Sequence, residues 1–329
     1  MASSTLLAYT LVILAGVCLA SLPNRRTPKP SPEVQPTSIP TPKIPNERTP
    51  KPSVQPTSIP TPVPTSICVE FADNISLFTL KDLVVSNTDV ALSTIVCGNA
   101  KVTGGVTFYS RGTWDCVRGA ISVYIEGYLD ASKGSGTVLG PGDLIYDRAN
   151  PLSKVTNKLN VACKKQQSRG QVDCGALSTS YLRTNTRFCN TPATGRFYTQ
   201  FDTVGVLDGS SVSDRVVYFR ISAADFENVK VWEMKGLEGK SVVVNVVGST
   251  VNFGSGSMGP LDAIKNSLVW NFCGTKKLNY LTGAYVLGAF LAPRANYVGG
   301  QNGLDGPLIV RSFRGSTEAH YIGAIRICI

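Results

Sequence analysis

Prolines are concentrated in one short segment of the chain. Residues 21–66 hold 14 of the 20 prolines, together with 13 serines and threonines. Proline fixes φ and lacks a backbone N–H, so a segment this rich in proline forms neither helix nor sheet, and polyproline II is its default conformation. We therefore predict an extended spacer over 21–66 and one separate folded β domain over 67–329.

A near-duplicate sequence occurs twice within this spacer. RTPKPSPEVQPTSIPTP begins at Arg26, and RTPKPSVQPTSIPTP begins at Arg48. Serine and threonine beside proline are typical of O-glycosylated stalks, and a plain disordered linker is the alternative. Both interpretations make the segment a Pro/Thr/Ser-rich stalk.

An apolar run opens the chain. Residues 6–19 are apolar apart from Tyr9 and Thr10, and the small residue Ala20 suits a cleavage site. The run is shorter than the roughly 20 apolar residues that span a bilayer, although an uncleaved anchor is the alternative. We interpret residues 1–20 as a signal peptide and expect a secreted protein, extracellular or at the cell surface or cell wall. No membrane span is expected in the mature chain.

The cysteine count fits an oxidising compartment. One of the nine cysteines, Cys18, lies in the signal segment, and the remaining even number predicts up to four disulfides whose pairing the sequence leaves open. A zinc site would need closely spaced Cys and His ligands, but there is no C-x-x-C and His320 is the only histidine. We expect no metal or other cofactor. The disulfide candidates are Cys68, Cys97, Cys116, Cys163, Cys174, Cys189, Cys273 and Cys328.

The formal net charge of the chain is +10. The stalk contributes +4, and the rest is spread over 67–329 without a dense basic run. Outside the cell, this balance favours a cell-wall or matrix polysaccharide, or a surface protein, as the partner and disfavours nucleic acid. A solvated surface without a charged partner is the alternative.

Short runs of β-branched, apolar and aromatic residues recur after Cys68, which is typical of strands. Two segments, 152–159 and 176–182, instead place apolar residues at helical spacing. The predicted strands cover 94–96, 106–109, 121–125, 216–221, 229–232, 242–247, 268–272, 285–291, 308–313 and 321–327.

The later strands keep a loose rhythm. Their centres, near Val244, Trp270, Leu287 and Ile309, suit the coils of a β-solenoid, which stack about 4.8 Å apart. We predict a mainly β fold, an irregular β-helix (solenoid) with one or two α-helices packed alongside. A β-sandwich is the alternative, although it would show cleaner two-residue alternation and hairpin turns.

An ordered series of segments resembles the choice-of-anchor A domain of microbial secreted and surface proteins. Val243 to Gly248 resembles its V-x-N-V-x-G segment, and Gly288 to Ala295 resembles its G-x-x-L-A-P-x-A segment. Cys97 stands where that family has Gly or Ala, so the first coil is expected to be built differently. The resemblance implies an irregular β-helix, similar in outline to one class of microbial ice-binding proteins, in an adhesin-like surface protein. The other matching segments are 87–90, 96–100, 123–127, 269–272, 306–312 and 318–320.

Candidate reactive residues are few. Nucleophilic catalysis of the Ser–His–Asp or Cys–His kind would require His320, which shares a strand face with Glu318, and we interpret the two as a surface pair. We therefore expect no enzyme and no catalytic residue. A glycan-acting β-helix enzyme, the alternative, would need two convergent carboxylates or a calcium-binding acidic cluster. The candidates are Asp225 with Glu227, and Asp143 with Asp147.

Binding by an exposed face is the remaining possibility. No regular threonine array of the kind used for ice is visible, and the sequon Asn74-Ile75-Ser76 predicts one N-glycan. We predict a non-enzymatic structural or adhesin-like protein of the cell surface or extracellular matrix, with a polysaccharide- or ice-binding module as the alternative. Candidate sugar-stacking aromatics, for which core or corner positions are the alternative, are Tyr109, Trp114, Tyr280 and Tyr297.

Overall fold

A computed structural model describes residues 68–70, 74–147, 158–168, 170–254, 256–280, 285–301, 303–320 and 325–328. All of them belong to one compact unit, Val63–Ile329. The predicted signal peptide and stalk lie outside the described residues. No helix within the described ranges is long and apolar enough to cross a membrane.

The domain is a parallel β-helix with three faces, here called A, B and C. Face A contains, in spatial order, β12 (Leu159–Val161), β10 (Ser135–Val138), β7 (Gly105–Phe108), β4 (Thr88–Val90), β26 (Glu318–His320), β24 (Gly303–Asp305) and β22 (Val286–Leu287). Face B contains β13 (Lys165–Gln167), β11 (Asp143–Tyr146), β8 (Ile121–Ile125), β5 (Ser93–Val96), β2 (Ile75–Thr79), β25 (Leu308–Gly315), β23 (Ala289–Gly299), β20 (Leu268–Cys273), β18 (Ser241–Val247) and β16 (Val216–Ser222).

Face C continues face B around a corner. Strands β23 and β25 bend across this corner, so their second halves pair with strands of face C. The other members of face C are β9 (Leu129–Asp130), β6 (Ala100–Val102), β3 (Leu83–Val85), β21 (Lys277–Tyr280) and β19 (Thr250–Phe253).

The coils are not stacked in chain order. The last coil lies on the first, because β25 pairs with β2 and β26 pairs with β4. The N-terminal coils therefore extend from one side of this junction and the C-terminal coils from the other. Neighbouring strands in all three faces are parallel, which confirms the predicted solenoid over the sandwich.

Two smaller sheets accompany the solenoid. β1 (Cys68–Glu70) and β27 (Arg326–Cys328) form an antiparallel ladder. β14 (Arg196–Gln200), β15 (Val204–Asp208) and β17 (Val231–Lys235) form a three-stranded sheet. This sheet packs Leu207 and Trp232 against the solenoid interior, where Trp232 meets Trp270 at 4.9 Å between ring centroids.

The predicted spacing of the C-terminal strands corresponds to a column of stacked side chains in the structure. Val244 pairs with Trp270, Trp270 with Phe290, and Phe290 with Leu308, and all four are fully buried. The predicted centre at Leu287 is wrong by three residues, because Gly288 turns the chain with a φ of +95° before β23 begins. Burying such a side chain contributes roughly 1.5–3 kcal/mol, so this column is a large part of the core.

The main helix, α1 (Cys174–Asn190), lies along face B. Asp173 caps it by accepting a hydrogen bond from the backbone N–H of Ala176 at 2.9 Å. Tyr181 and Phe188 are buried at helical spacing, and the Tyr181 ring lies 4.9 Å from that of Phe78 on β2. The structure thus confirms the predicted helix at 176–182. The second predicted helix is wrong at Leu159, which lies in a strand, and residues 151–157 lie outside the described part.

Two short helical segments complete the described elements. They are α2 (Ala223–Asn228) and a 3-10 helix, Gly259–Ser267.

Three disulfides are formed among the described cysteines. Cys97–Cys174 and Cys189–Cys273 attach the two ends of α1 to face B, at the residue after β5 and at the last residue of β20. Cys116–Cys163 joins the loop after β7 to the loop after β12, which lies two coils further along the β-helix. Cys68 and Cys328 are register partners of the β1–β27 ladder, but their side chains lie outside the description, so a fourth bridge stays a prediction.

Candidate functional site

Face B is a packing surface. Many of its outward side chains are apolar, including Phe78, Ile95, Tyr124 and Ile145, and these are buried together with residues of α1. This face therefore offers no open area to a ligand where the helix covers it.

Face A is open and polar. Asn160, Thr137, Thr107 and Asp89 are register neighbours on successive strands, and Glu318 follows on the next one. Each of these side chains is exposed or partly exposed, because outward positions alternate with buried ones such as Val106 and Phe108 on β7. A shallow groove of about 410 Å³ runs over this region. It is lined by Asn87, Thr88, Asp89, Gly105, Val106, Thr107, Gly136 and Glu318.

Beyond Glu318, face A carries an ordered cluster around the single histidine. His320 Nδ1 lies 2.8 Å from Asp305 Oδ1, and Nε2 lies 3.1 Å from Glu318 Oε2. The Tyr285 ring is stacked beside the imidazole at 5.7 Å between centroids, and Tyr285 remains 56% exposed. A Cβ at Gly303 would lie 2.0 Å from Tyr285 Cε1, so only glycine leaves room for this ring. Tyr285 is thus held against the face with much of its surface open.

This cluster does not have the form of a catalytic device. Both ring nitrogens of His320 are engaged by carboxylates, so neither is free to activate a nucleophile or to bind an ion. Glu318 and His320 were predicted to share a face, and the structure places them so, with Asp305 added from the neighbouring strand.

Carboxylates of the other predicted acidic pairs accept hydrogen bonds within the fold. Asp225 belongs to the cap of α2, where its carboxylate accepts from Ser222 Oγ at 2.6 Å. Glu227 accepts the backbone N–H of Asn252 at 2.8 Å. Asp143 accepts the backbone N–H of Lys164 at 3.0 Å and also a hydrogen bond from Gln166.

One predicted acidic candidate and one further group of potential metal ligands remain. Asp147 is buried. The described residues contain one group of three potential metal ligands, Cys97, Glu126 and Cys174, and its two sulfurs are joined in a disulfide.

The aromatic candidates divide between interior and surface. Tyr280 and Tyr297 are buried in the solenoid, where burial raises the pKa of both phenols, so the alternative of a core position holds for these two residues. Trp114 is 57% exposed on a loop, and Tyr109 is half-buried. Tyr285 is not among the predicted surface aromatics, because it lies in the run 285–291, which has the composition of a strand. Nothing in that run marks its ring as outward.

Comparisons with known proteins identify the relatives. Residues 70–321 match the family model of the ice-binding-like adhesive domain. The chain is also similar to the crystal structure of an ice-binding protein from an Antarctic biological consortium, at 12% identity over 80% of this chain and 95% of that one, with a TM-score of 0.36. An ice-binding protein from the Antarctic ascomycete Antarctomyces psychrotrophicus matches at 13% identity over 76% and 94%, with a TM-score of 0.28. No curated protein matches.

These findings correct the predicted family. The resemblance to the choice-of-anchor A domain is wrong, since the matching family is a different one. The segments that suggested it are coil features: Asn245 and Asn271 are outward neighbours on face B, and Gly288 is a turn. Any stacked β coil needs inward apolar residues and small residues at its turns, so such segments do not separate one solenoid family from another. Because the match spans most of its length, the chain belongs to the family of ice-binding-like adhesive domains.

Proposed function

We propose that this chain is an extracellular adhesive module that binds a polysaccharide through face A, with no covalent chemistry. The observation that carries the proposal is Tyr285, whose exposed ring lies over Gly303 beside His320, which is itself held between Asp305 and Glu318. An extracellular location is supported by the adhesive family and by the three disulfides.

The chemistry of the cluster matches that of a sugar. A pyranose ring offers a flat C–H surface and a rim of hydroxyl groups. An exposed aromatic ring packs against the first, and carboxylate and hydroxyl groups form hydrogen bonds with the second. The column Glu318, Asp89, Thr107 and Thr137 continues these polar groups away from Tyr285.

The regular spacing of face A favours a repetitive polymer. Successive strands place one polar side chain about every 4.8 Å along the solenoid axis. A polymer with a regular repeat can engage several of these positions at once, so individually weak contacts add up to firm adhesion. Tyr285 is already packed over Gly303, so little conformational entropy is lost when it meets a ligand.

Depletion onto insoluble polysaccharides tests the proposal. The full chain is mixed with cellulose, chitin, β-1,3-glucan or mannan particles, and the protein left in solution is measured. We expect Tyr285→Ala to weaken adhesion to the bound polymer roughly tenfold, the loss of one aromatic contact. Trp114→Ala is the matched control, because Trp114 is similarly exposed but lies on a loop. Equal losses of adhesion in both variants, or no adhesion of the wild type, would contradict face A as the polysaccharide-binding surface.

Ice is the second candidate ligand. The observation that favours it is the uncharged row Asn160, Thr137 and Thr107, in register on three adjacent strands. The row ends at Asp89, whose charge retains strongly bound water and opposes contact with ice. Adsorption to ice that is abolished by Thr137→Lys and unaffected by Tyr285→Ala would replace polysaccharide by ice as the ligand.

A further inference from the structure

A second surface feature lies at the corner where face B turns into face C. A groove of about 660 Å³ opens there between the β-helix and α1, and we call it the basic groove. Its floor includes the apolar residues Leu80, Leu182 and Pro293. The other lining residues are Lys81, Gly274, Lys276, Lys277, Arg294, Asn296 and Arg311.

The positive charges of the basic groove come from four adjacent coils. Lys277 begins β21 and Lys276 directly precedes it. Arg294 lies on β23, Arg311 on β25, and Lys81 just before β3. Backbone hydrogen bonds join the corners of neighbouring coils. The Asn296 N–H donates to Lys276 O at 2.9 Å, and the Lys81 N–H donates to Arg311 O at 2.7 Å. The cations therefore repeat along the solenoid axis at the strand spacing of about 4.8 Å.

These charges are not neutralised within the described part of the chain. No carboxylate lines the groove, and none of its five cations forms an ion pair with a described residue. Arg294 is held in place, since it donates to Asn185 Oδ1 at 2.6 Å and to Thr186 Oγ1 at 3.1 Å, both on α1. Like charges at this spacing repel one another, and a bound polyanion would relieve that repulsion.

The basic surface continues over the helix. A neighbouring cavity of about 430 Å³ shares Leu182 and Arg294 with the groove and adds Arg183 and Arg187. A linear ligand in the groove could thus extend from the corner of the solenoid onto α1 and remain next to basic side chains.

We infer that the basic groove binds a linear anionic polysaccharide, one that carries carboxylate or sulfate groups on successive sugars. Arginine guanidinium groups bind such oxyanions bidentately, and lysines add point charges between them. No aromatic side chain lines the groove, so the bases of a single-stranded nucleic acid would find no stacking platform. This site is independent of face A, which carries the opposite charge and an exposed ring.

Titration of the full chain with defined probes tests the inference. The probes are oligogalacturonate for carboxylates, a heparin oligosaccharide for sulfates, uncharged galactan, and single-stranded DNA of matching charge. The variant is Lys277→Gln with Arg311→Gln, two exposed side chains of the groove. The control is Lys101→Gln with Arg314→Gln, which removes the same charge from exposed positions of face C.

We expect the wild type to bind one or both anionic glycans, with an affinity that falls as salt is added. The groove variant should bind roughly tenfold more weakly, and the control should bind like the wild type. Equal losses in both variants would overturn the inference, as would tighter binding of DNA or no binding of either anionic glycan. The Tyr285→Ala variant distinguishes this groove from face A, because it should leave oligogalacturonate and heparin binding unchanged.

Discussion

Face A and face B belong to the same β-helix, yet face A is open and face B is a packing surface. Both have parallel strands about 4.8 Å apart, and both direct every second side chain outward. The outward residues of β5 and β8 on face B include Ile95 and Tyr124, whereas those of β7 and β10 on face A include Thr107 and Thr137. The difference shows that a few outward positions per coil decide whether a solenoid face receives a helix or a ligand.

Face B is also attached to its helix by polar and covalent contacts. Asn271 Nδ2 donates to Asn245 Oδ1 at 2.7 Å, Asn185 Nδ2 of α1 donates to Asn271 Oδ1 at 2.7 Å, and all three residues are buried. The disulfides Cys97–Cys174 and Cys189–Cys273 secure the two ends of α1. Face A has no such cover among the described residues. The difference between the faces can be tested by removing contacts between α1 and face B and by substituting residues of face A.

The largest effect is expected when α1 loses its C-terminal bridge. Cys189→Ser with Cys273→Ser opens a bridge of sequence separation 84, which should lower the free energy of unfolding by about 4 kcal/mol. Urea denaturation measures the loss, and hydrogen exchange should show faster opening of α1. Cys116→Ser with Cys163→Ser is the control: it opens a bridge of separation 47 and should leave exchange of α1 unchanged. Equal exchange in α1 for both variants would show that the bridge does not hold the helix.

A smaller effect is expected from the amide network beneath the helix. Asn271→Leu leaves Asn245 and Asn185 each without one buried partner, which should cost about 2 kcal/mol. Asn160→Leu makes the same change at an exposed position of face A and should alter stability by less than about 0.5 kcal/mol. Similar losses for the two variants in urea denaturation would contradict the distinction between the faces.

The smallest effect on stability is expected at Gly303. Gly303→Ala places a Cβ where the Tyr285 ring now lies, so the ring must move while the solenoid stays intact. Stability should change by less than about 1 kcal/mol, and polysaccharide adhesion should fall as far as in Tyr285→Ala. Gly175→Ala, on α1 and therefore outside face A, is the control, because its Cβ would make an ordinary contact of 3.4 Å with Asp173 Oδ1. Undiminished adhesion in Gly303→Ala would mean that the position of the Tyr285 ring does not matter.

Much of the fold could be predicted because its signals are local. Runs such as 242–247 and 268–272 carry strand chemistry in consecutive residues, and both are strands in the structure. The short N-terminal strands, such as β3 and β6, have only three residues each and gave too weak a pattern to be predicted. The junction of the last coil with the first depends on contacts between residues more than 200 positions apart, as in Phe78 with Ile309, and no local pattern encodes it.

The amino-acid sequence by itself determined that this protein has a proline-rich segment followed by a β domain of stacked coils with a helix, because composition and short-range periodicity act on neighbouring residues. Only the tertiary structure decided which surfaces are available. Tyr280 points inward and Tyr285 outward, and Lys81 joins Lys277 and Arg311 in one groove, because coil stacking brings together corners that are far apart in the chain.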